Sequence, residues 1–263
     1  MSPPTREPLD AEILNADIGS PWSIEVAPET DSTNADLLRA AAAGTPPGLV
    51  RIAEFQHSGR GRLDRAWTSP VGAGLTMSLL LRPSPPVATW GWLPLLTGLA
   101  LARTVGEAAS VKWPNDLLLG PEEKKAAGIL VQAAAGAAVV GLGINVSTTE
   151  DELAVPSATS LALQGLATDR AELLARFLRE FEQLYFAWTR AGGRAGASGL
   201  ATEFRQRCST LGRPVTVVLE DEPRHGYAQD IDEDGRLVVL FDGAASPTAI
   251  AAGDVTHLRP DSR

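Results

Sequence analysis

Apolar and polar positions along this chain recur with two different periods. Short apolar runs at residues 22–26, 49–55, 74–81, 117–119, 128–134 and 137–142 are bounded by Gly, Pro, Asp or Asn, and each predicts a strand. The run at 74–81 is apolar at most positions, as a strand buried on both faces requires. Elsewhere the period lengthens. Leu174, Phe177, Phe181, Leu184 and Trp188 fall on one helical stripe, which predicts a helix over 168–190 with its aromatic face in the core. A second helix, apolar on most faces, is predicted over 92–109, and a third over 199–211, ending at Gly212. Asp31-Ser32-Thr33-Asn34 precedes a helical face that begins at Ala35 and closes at Gly44.

After Gly212 the pattern becomes short strands at 215–219, 225–231, 236–241, 248–250 and 255–258, with a hairpin turn at Asp232-Glu233-Asp234-Gly235. Strands of this length and spacing predict a small SH3-like β-barrel. The expected organisation is a flexible arm over 1–20 with at most one short helix, an α+β domain over 21–211, and the barrel over 212–263.

Composition narrows the classes. The chain has 263 residues, 44% of them hydrophobic, enough for a sizeable core, and a net charge of −9. Acidity of this size argues against a general nucleic-acid surface, so any phosphate chemistry must use local positive charge. The longest apolar run, 90–102, carries Pro94 and Gly98 and is too short to span a bilayer. The first ten residues are polar and proline-rich, without the apolar stretch of a secretory signal. A single cysteine, Cys208, reads as a core residue in a reducing cytoplasm. His57, His225 and His257 lie far apart, with no metal-ligand spacing.

Four stretches carry chemistry. The first, Gly59-Arg60-Gly61-Arg62-Leu63-Asp64-Arg65-Ala66-Trp67, puts three arginines, two glycines and a tryptophan between two strands. Its glycines allow φ > 0 and close approach, its guanidinium forks suit carboxylate or phosphate oxygens, and its indole offers a flat face. By itself it reads equally as a solvated turn or an anion grip. The second, Lys112-Trp113-Pro114-Asn115-Asp116, sets a cation, an amide and a carboxylate side by side, with Trp113 held extended by the following proline. In the third, Lys124 and Lys125 lead a strand into Gly128. The fourth, Gly141-Leu142-Gly143-Ile144-Asn145-Val146, is not a dinucleotide fingerprint, since no helix opens after it. Its Asn145 needs a hydrogen-bond partner in an apolar setting. Ser32, Thr33 and Asn34 either cap their helix or also point into a pocket.

Taken together, and in this order, these stretches with Ser32-Thr33-Asn34, Gln56 and Lys125-Ala126-Ala127-Gly128-Ile129-Leu130 resemble the biotin–protein ligases, the biotin–[acetyl-CoA-carboxylase] ligases. The resemblance implies a mixed sheet with helices on one face, related to class II aminoacyl-tRNA synthetases, plus a small C-terminal domain. It implies two steps: biotin and ATP form biotinyl-5′-AMP and pyrophosphate, then a lysine of an apo biotin carboxyl carrier domain attacks the adenylate. Arg60 and Lys125 would flank the biotin carboxylate and the α-phosphate, offsetting the repulsion between them. Arg62 and Lys112 would hold phosphates, Trp67 would lie over adenine, and Asn115 and Asn145 would complete the nucleotide site. Ser32, Thr33 and Gln56 would hold the ureido ring, with Gly59 and main chain near Gly128 and Gly141. Asp116 would orient or deprotonate the incoming lysine. Mg2+ is expected with the triphosphate, its protein ligands unassigned.

The sequence departs from the family pattern at Ala126, where leucine is usual, at Gln132, where many members carry glutamate, and in the doubled Lys124-Lys125. Other readings are a biotin-responsive regulator, a lipoate or octanoate transferase on the same scaffold, and an inactive binding module. Only about twenty residues precede the first strand, too few for a helix-turn-helix module, so no nucleic-acid partner is expected. The oligomeric state is open, a homodimer included.

Overall fold

The computed structural model describes residues 6–219, 222–251 and 253–257. Seven strands form the main sheet: β1 (Ser23–Thr30), β2 (Leu49–Gln56), β3 (Gly74–Leu81), β4 (Ala109–Lys112), β5 (Asp116–Leu119), β6 (Lys124–Ala134) and β7 (Ala137–Asn145). Their order is β1-β2-β3-β7-β6-β5-β4. The β1–β2 pair is parallel and the other neighbours are antiparallel, so the sheet is mixed. The helices are α1 (Ala11–Ile18), α2 (Thr33–Ala42), α3 (Trp92–Val105), α4 (Arg170–Arg190) and α5 (Leu200–Arg207). A second sheet holds β8 (Arg213–Leu219), β9 (Glu222–Ile231), β10 (Leu237–Phe241), β11 (Thr248–Ile250) and β12 (Asp254–His257), ordered β11-β10-β9-β8-β12.

Alternation along the central strands separates two cores. On β3, Leu79 and Leu81 join the large core, while Leu80 packs with Leu37 and Ala41 of α2. On β7, Ala138 and Val140 face the large core, and Ala137 and Val139 face α2. Successive residues of a strand point to opposite faces. Helix α2 therefore covers the face opposite the large core, to which α3 and α4 contribute. This corrects the expectation of helices on one face only.

Three boundaries differ from the pattern. The helix predicted over 92–109 stops at Val105, because Gly106 caps it with φ 104° and Ala109 already pairs in β4. The helix predicted over 199–211 stops at Arg207, because Cys208 bridges to Val111 and Ser209 N–H donates to Val111 O at 2.9 Å. Residues 6–20 of the expected flexible arm carry α1, capped by Asp10, with Leu14 buried. Leu258, the end of the last predicted strand, lies outside the described residues.

The modules meet through tryptophans. Trp92 Nε1–H donates to Glu233 O at 2.7 Å and Trp113 Nε1–H to Gly235 O at 3.0 Å, both in the β9–β10 turn. The chain turns over Trp113-Pro114, where Asn115 N–H donates to Lys112 O at 3.1 Å.

Candidate active site

The site is the part of the α2 face that α2 leaves uncovered. Beyond Ala137 and Val139, the same face of β7 presents Gly141, Gly143 and Asn145, paired with Leu130 and Gly128 of β6 and with Ser78, Thr76 and Gly74 of β3. Glycine is needed in this floor. A Cβ at Gly141 would overlap the Asn34 carboxamide, and one at Gly143 would overlap the Trp67 indole. Above the floor opens a cleft of about 1230 Å³.

One end is a neutral hydrogen-bonded cluster. Gln56 Oε1 accepts from Thr33 N–H at 2.8 Å and from Thr33 Oγ1 at 3.1 Å. Ser78 Oγ lies 2.8 Å from Thr33 Oγ1 and 2.6 Å from Asn34 Oδ1. Ser32 caps α2 by accepting from Ala35 N–H at 3.5 Å. Both readings of the Ser-Thr-Asn run therefore hold, divided among its residues. Asn34 also donates to Gln132 Oε1 at 2.8 Å. The Gln132 departure is thus accommodated, since only its oxygen is used here and a glutamate oxygen would accept in the same way.

The other end is charged. Lys125 Nζ lies 2.7 Å from Asp116 Oδ1, an ion pair across β5 and β6, and Asp116 stands opposite Lys112 in the β4–β5 register. Lys124 points elsewhere, to Glu122 at 3.0 Å, so the strand separates the doubled lysines. Asn115 exchanges bonds with the Ile129 main chain and accepts from Arg62 Nη1 at 3.3 Å. Asn145 Nδ2 donates to Thr159 O at 3.0 Å, which answers its need for a partner. Ala126 is fully buried in the large core, where leucine's extra carbons would need room.

The Gly59–Trp67 stretch links adjacent strands β2 and β3 as a closed hairpin. Trp67 N–H donates to Gly59 O at 2.8 Å and Gly61 N–H to Arg65 O at 2.7 Å. The positive φ expected at its glycines falls instead on Leu63 (53°) and Asp64 (54°), whereas Gly61 has φ −102°. Gly59 serves close approach, because a Cβ there would strike Trp67 O and Gln56 Nε2. The Trp67 indole rests on Gly143 and Gly128, and its buried Nε1–H finds no acceptor among the described residues. Arg62 Nη2 reaches Gly253 O of the C-terminal module at 3.4 Å. Arg60 is 69% exposed, with Asp64 at 3.8 Å, and so stands at the cleft mouth apart from the Lys125–Asp116 pair.

One wall escaped the sequence reading. Glu123 takes both guanidinium nitrogens of Arg213, at 2.6 and 2.7 Å, and lies 3.7 Å from His257 Nδ1. His257 Nε2 sits 3.1 Å from Thr210 Oγ1. The Arg213 guanidinium holds the Glu123 carboxyl below the usual range. Burial first, then the nearby Lys112, pushes the His257 imidazole down to about 4, against the opposing pull of Glu123. No local pattern announces these residues, since Glu123 and Arg213 are ninety positions apart and meet only through module docking.

Residues 26–148 match the Biotin/lipoate A/B protein ligase family and residues 210–258 match the Biotin protein ligase C terminal domain. A biotin–[acetyl-CoA-carboxylase] ligase of Mycobacterium tuberculosis is 39% identical over 97% of both chains. A bifunctional ligase/repressor of Escherichia coli is 33% identical over 86% of this chain and 71% of its own. A solved biotin protein ligase of Aquifex aeolicus, in complex with biotin and ATP, superposes with a TM-score of 0.70 at 26% identity, covering 90% of this chain and 99% of that one. With the glycine floor, the Lys125–Asp116 pair and the arginine-glycine hairpin all in place, this chain belongs to the biotin protein ligase family.

Proposed function

We propose that the chain activates biotin with ATP and transfers it to a lysine of a biotin carboxyl carrier domain. The observation that carries this reading is one cleft with a neutral hydrogen-bonding end and a cationic end, joined by a glycine floor under a hairpin lid. The ureido ring of biotin needs neutral donors and acceptors, which Thr33 and Gln56 supply, with Ser32 and Gly59 beside them. Main chain near Gly128 and Gly141 would complete the contacts to the ring; the Trp67 indole and Lys125 lie over Gly128, and the Asn34 carboxamide lies over Gly141. The valerate chain then directs the carboxylate to Lys125.

In the first step a carboxylate oxygen attacks the α-phosphorus, the bond to the β-phosphate oxygen breaks, and pyrophosphate leaves. Lys125 is placed to offset the converging negative charges. Arg60, at the mouth, joins it when the hairpin closes, and Arg62 and Lys112 hold phosphate oxygens. Asn115 braces Arg62, and Asn145 lines the nucleotide end. In the second step the neutral amine of the carrier lysine attacks the acyl carbon and AMP leaves. Asp116 orients that amine and draws its proton.

The Trp67 indole lies where a ligand ring would reach the floor, so ligand entry requires the hairpin to lift and close again. Each of three cleft carboxylates already faces a cation: Asp116 with Lys125, Glu123 with Arg213, and Glu152 with Arg6. That arrangement fits Mg2+ carried in on the triphosphate rather than held by protein oxygens.

The acidic net charge supports a protein substrate over nucleic acid, and the lone buried cysteine fits a cytoplasmic setting. No helix among the described residues is long and apolar enough to cross a membrane. A homodimer is the oligomeric form to test, by sedimentation velocity with and without biotin and ATP. The deciding experiment for function incubates the protein with biotin, MgATP and an apo carrier domain. One biotin mass shift on the carrier is expected, and its absence with a competent carrier overturns the reading.

A further inference from the structure

The wall between residues 148 and 159 does three jobs. Thr148, Glu152 and Leu153 line the cleft. Ser157 O accepts from Lys125 N–H at 2.9 Å, and Thr159 N–H donates to Lys125 O at 2.8 Å. Thr159 O accepts from the Asn145 side chain. One segment therefore sets the main chain of the cleft lysine and the side chain of the nucleotide-end asparagine. It contains little regular structure of its own, only a short turn at Glu150–Glu152. Something outside it must hold it still.

That support comes from residues 6–9. Arg6 forks onto Glu152, with Nη1 to Oε1 at 3.1 Å and Nη2 to Oε2 at 2.7 Å. Its Nε and Nη2 also reach Ser147 Oγ and Ser147 O, at 3.3 and 3.1 Å. Two parallel charge-assisted bonds fix orientation as well as distance. The Arg6 side chain is only 12% exposed. Gly72 makes room for it, since a Cβ there would lie 2.8 Å from Arg6 Cβ. Behind Arg6 the segment is anchored again. Glu7 O accepts from Arg170 Nη2 at 2.6 Å, and Leu9 N–H donates to Glu54 Oε1 at 2.8 Å. Glu54 and Arg170 themselves form a buried ion pair at 2.7 Å. The Glu152 carboxyl, held down to about 2 chiefly by Arg6, stays charged across the neutral range.

We propose that Arg6 is a positioning residue for the nucleotide end of the cleft. Residues 6–9 form a strap, and through the Arg6–Glu152 fork the strap holds the 148–159 wall, and with it Lys125 and Asn145, in register for ATP. Among the described residues the neutral cluster at Thr33 and Gln56 has no bond to Arg6 or to this wall, so the strap acts chiefly on ATP and bears on biotin only through the carboxylate at Lys125. The inference rests on the ligase reading, and its test separates the two.

Biotin- and ATP-dependent pyrophosphate exchange is measured for the native protein, Arg6→Ala, Arg6→Lys and Glu152→Gln, alongside thermal melting and hydrogen exchange. Arg6→Ala and Glu152→Gln should each raise the ATP KM about tenfold and leave the biotin KM within about twofold. Arg6→Lys, which keeps the charge and loses the fork, should fall between. Amides of Lys125 and Thr159 should exchange faster in Arg6→Ala. An unchanged ATP KM overturns the proposal, as does an equal rise in both KM values with a lowered melting point. If the native protein makes no adenylate, the ligase reading fails instead. Exchange at Lys125 and Thr159 then decides the strap alone, and unchanged exchange in Arg6→Ala overturns it.

Discussion

Single side chains divide the labour of the cleft, and two substitutions separate the parts. Lys125→Ala removes the cation on the floor and leaves Asp116 Oδ1, already buried, without its counter-ion. An uncompensated buried acceptor costs about 1–3 kcal/mol, a loss the large core can absorb. Adenylate formation should fall by at least about a thousandfold, read as pyrophosphate exchange. A loss confined to carrier transfer would move the first-step role to another residue. Trp67→Ala uncovers Gly143 and Gly128 and leaves the Lys125–Asp116 ion pair its own partners. The apparent KM for ATP should rise about tenfold in steady-state kinetics, and an effect on biotin alone would contradict the stacking role.

At the scale of elements, the docking of β12 against the β5–β6 turn carries a pH dependence. The groups facing the His257 ring are Thr210 on the chain leading into β8, Glu123 on the turn, Arg213 at the start of β8, and Lys112 on β4. In the folded protein the ring takes its proton only near 4, against 6.5 for an ordinary histidine. Between those values the unfolded chain binds the proton more tightly, so stability falls as pH drops from about 6.5 to about 4 and is undiminished above. Melting temperatures from about pH 7.5 to about pH 4.5 should therefore drop less steeply in His257→Gln than in the native protein. Parallel curves would remove His257 from the interface energetics. The hairpin is the other element with a distinct energetic signature, since Leu63 and Asp64 both sit at positive φ without being glycine. Two such residues store local strain of the kind found in segments that change shape.

Across the whole molecule the two modules share one core. Leu200, Phe204 and Cys208 of the larger module and Val215, Val217, Ala228 and Leu237 of the smaller belong to the same buried cluster. Trp92 and Trp113 bond across the boundary, and Arg205 pairs with Asp230. Burial that continuous predicts cooperative unfolding. Calorimetry should give one transition with matching calorimetric and van't Hoff enthalpies, and two resolved transitions would show that the modules stand independently. The same docking brings Arg213, Gly253 and His257 to the cleft, so the small module serves as part of its wall.

Sequence alone determined what local physics controls. Strand and helix periods placed nearly every element, because side chains at period 2 or 3.6 must share a face wherever they are. The chemistry-bearing stretches were also legible, since charges, glycines and an indole crowded into nine residues have no packing explanation. Tertiary structure decided what depends on distant partners. It turned Lys125 toward Asp116 and Lys124 toward Glu122, because strand pairing decides which partner each of two neighbouring lysines meets. It moved positive φ from the hairpin glycines to Leu63 and Asp64, because closure of the 59–67 bonds sets those angles. It put α2 on its own face of the sheet, and so made the glycines of β7 a floor beneath Asn34 and Trp67. It joined Arg6 to Glu152 and Glu123 to Arg213, contacts that exist only once the chain has folded.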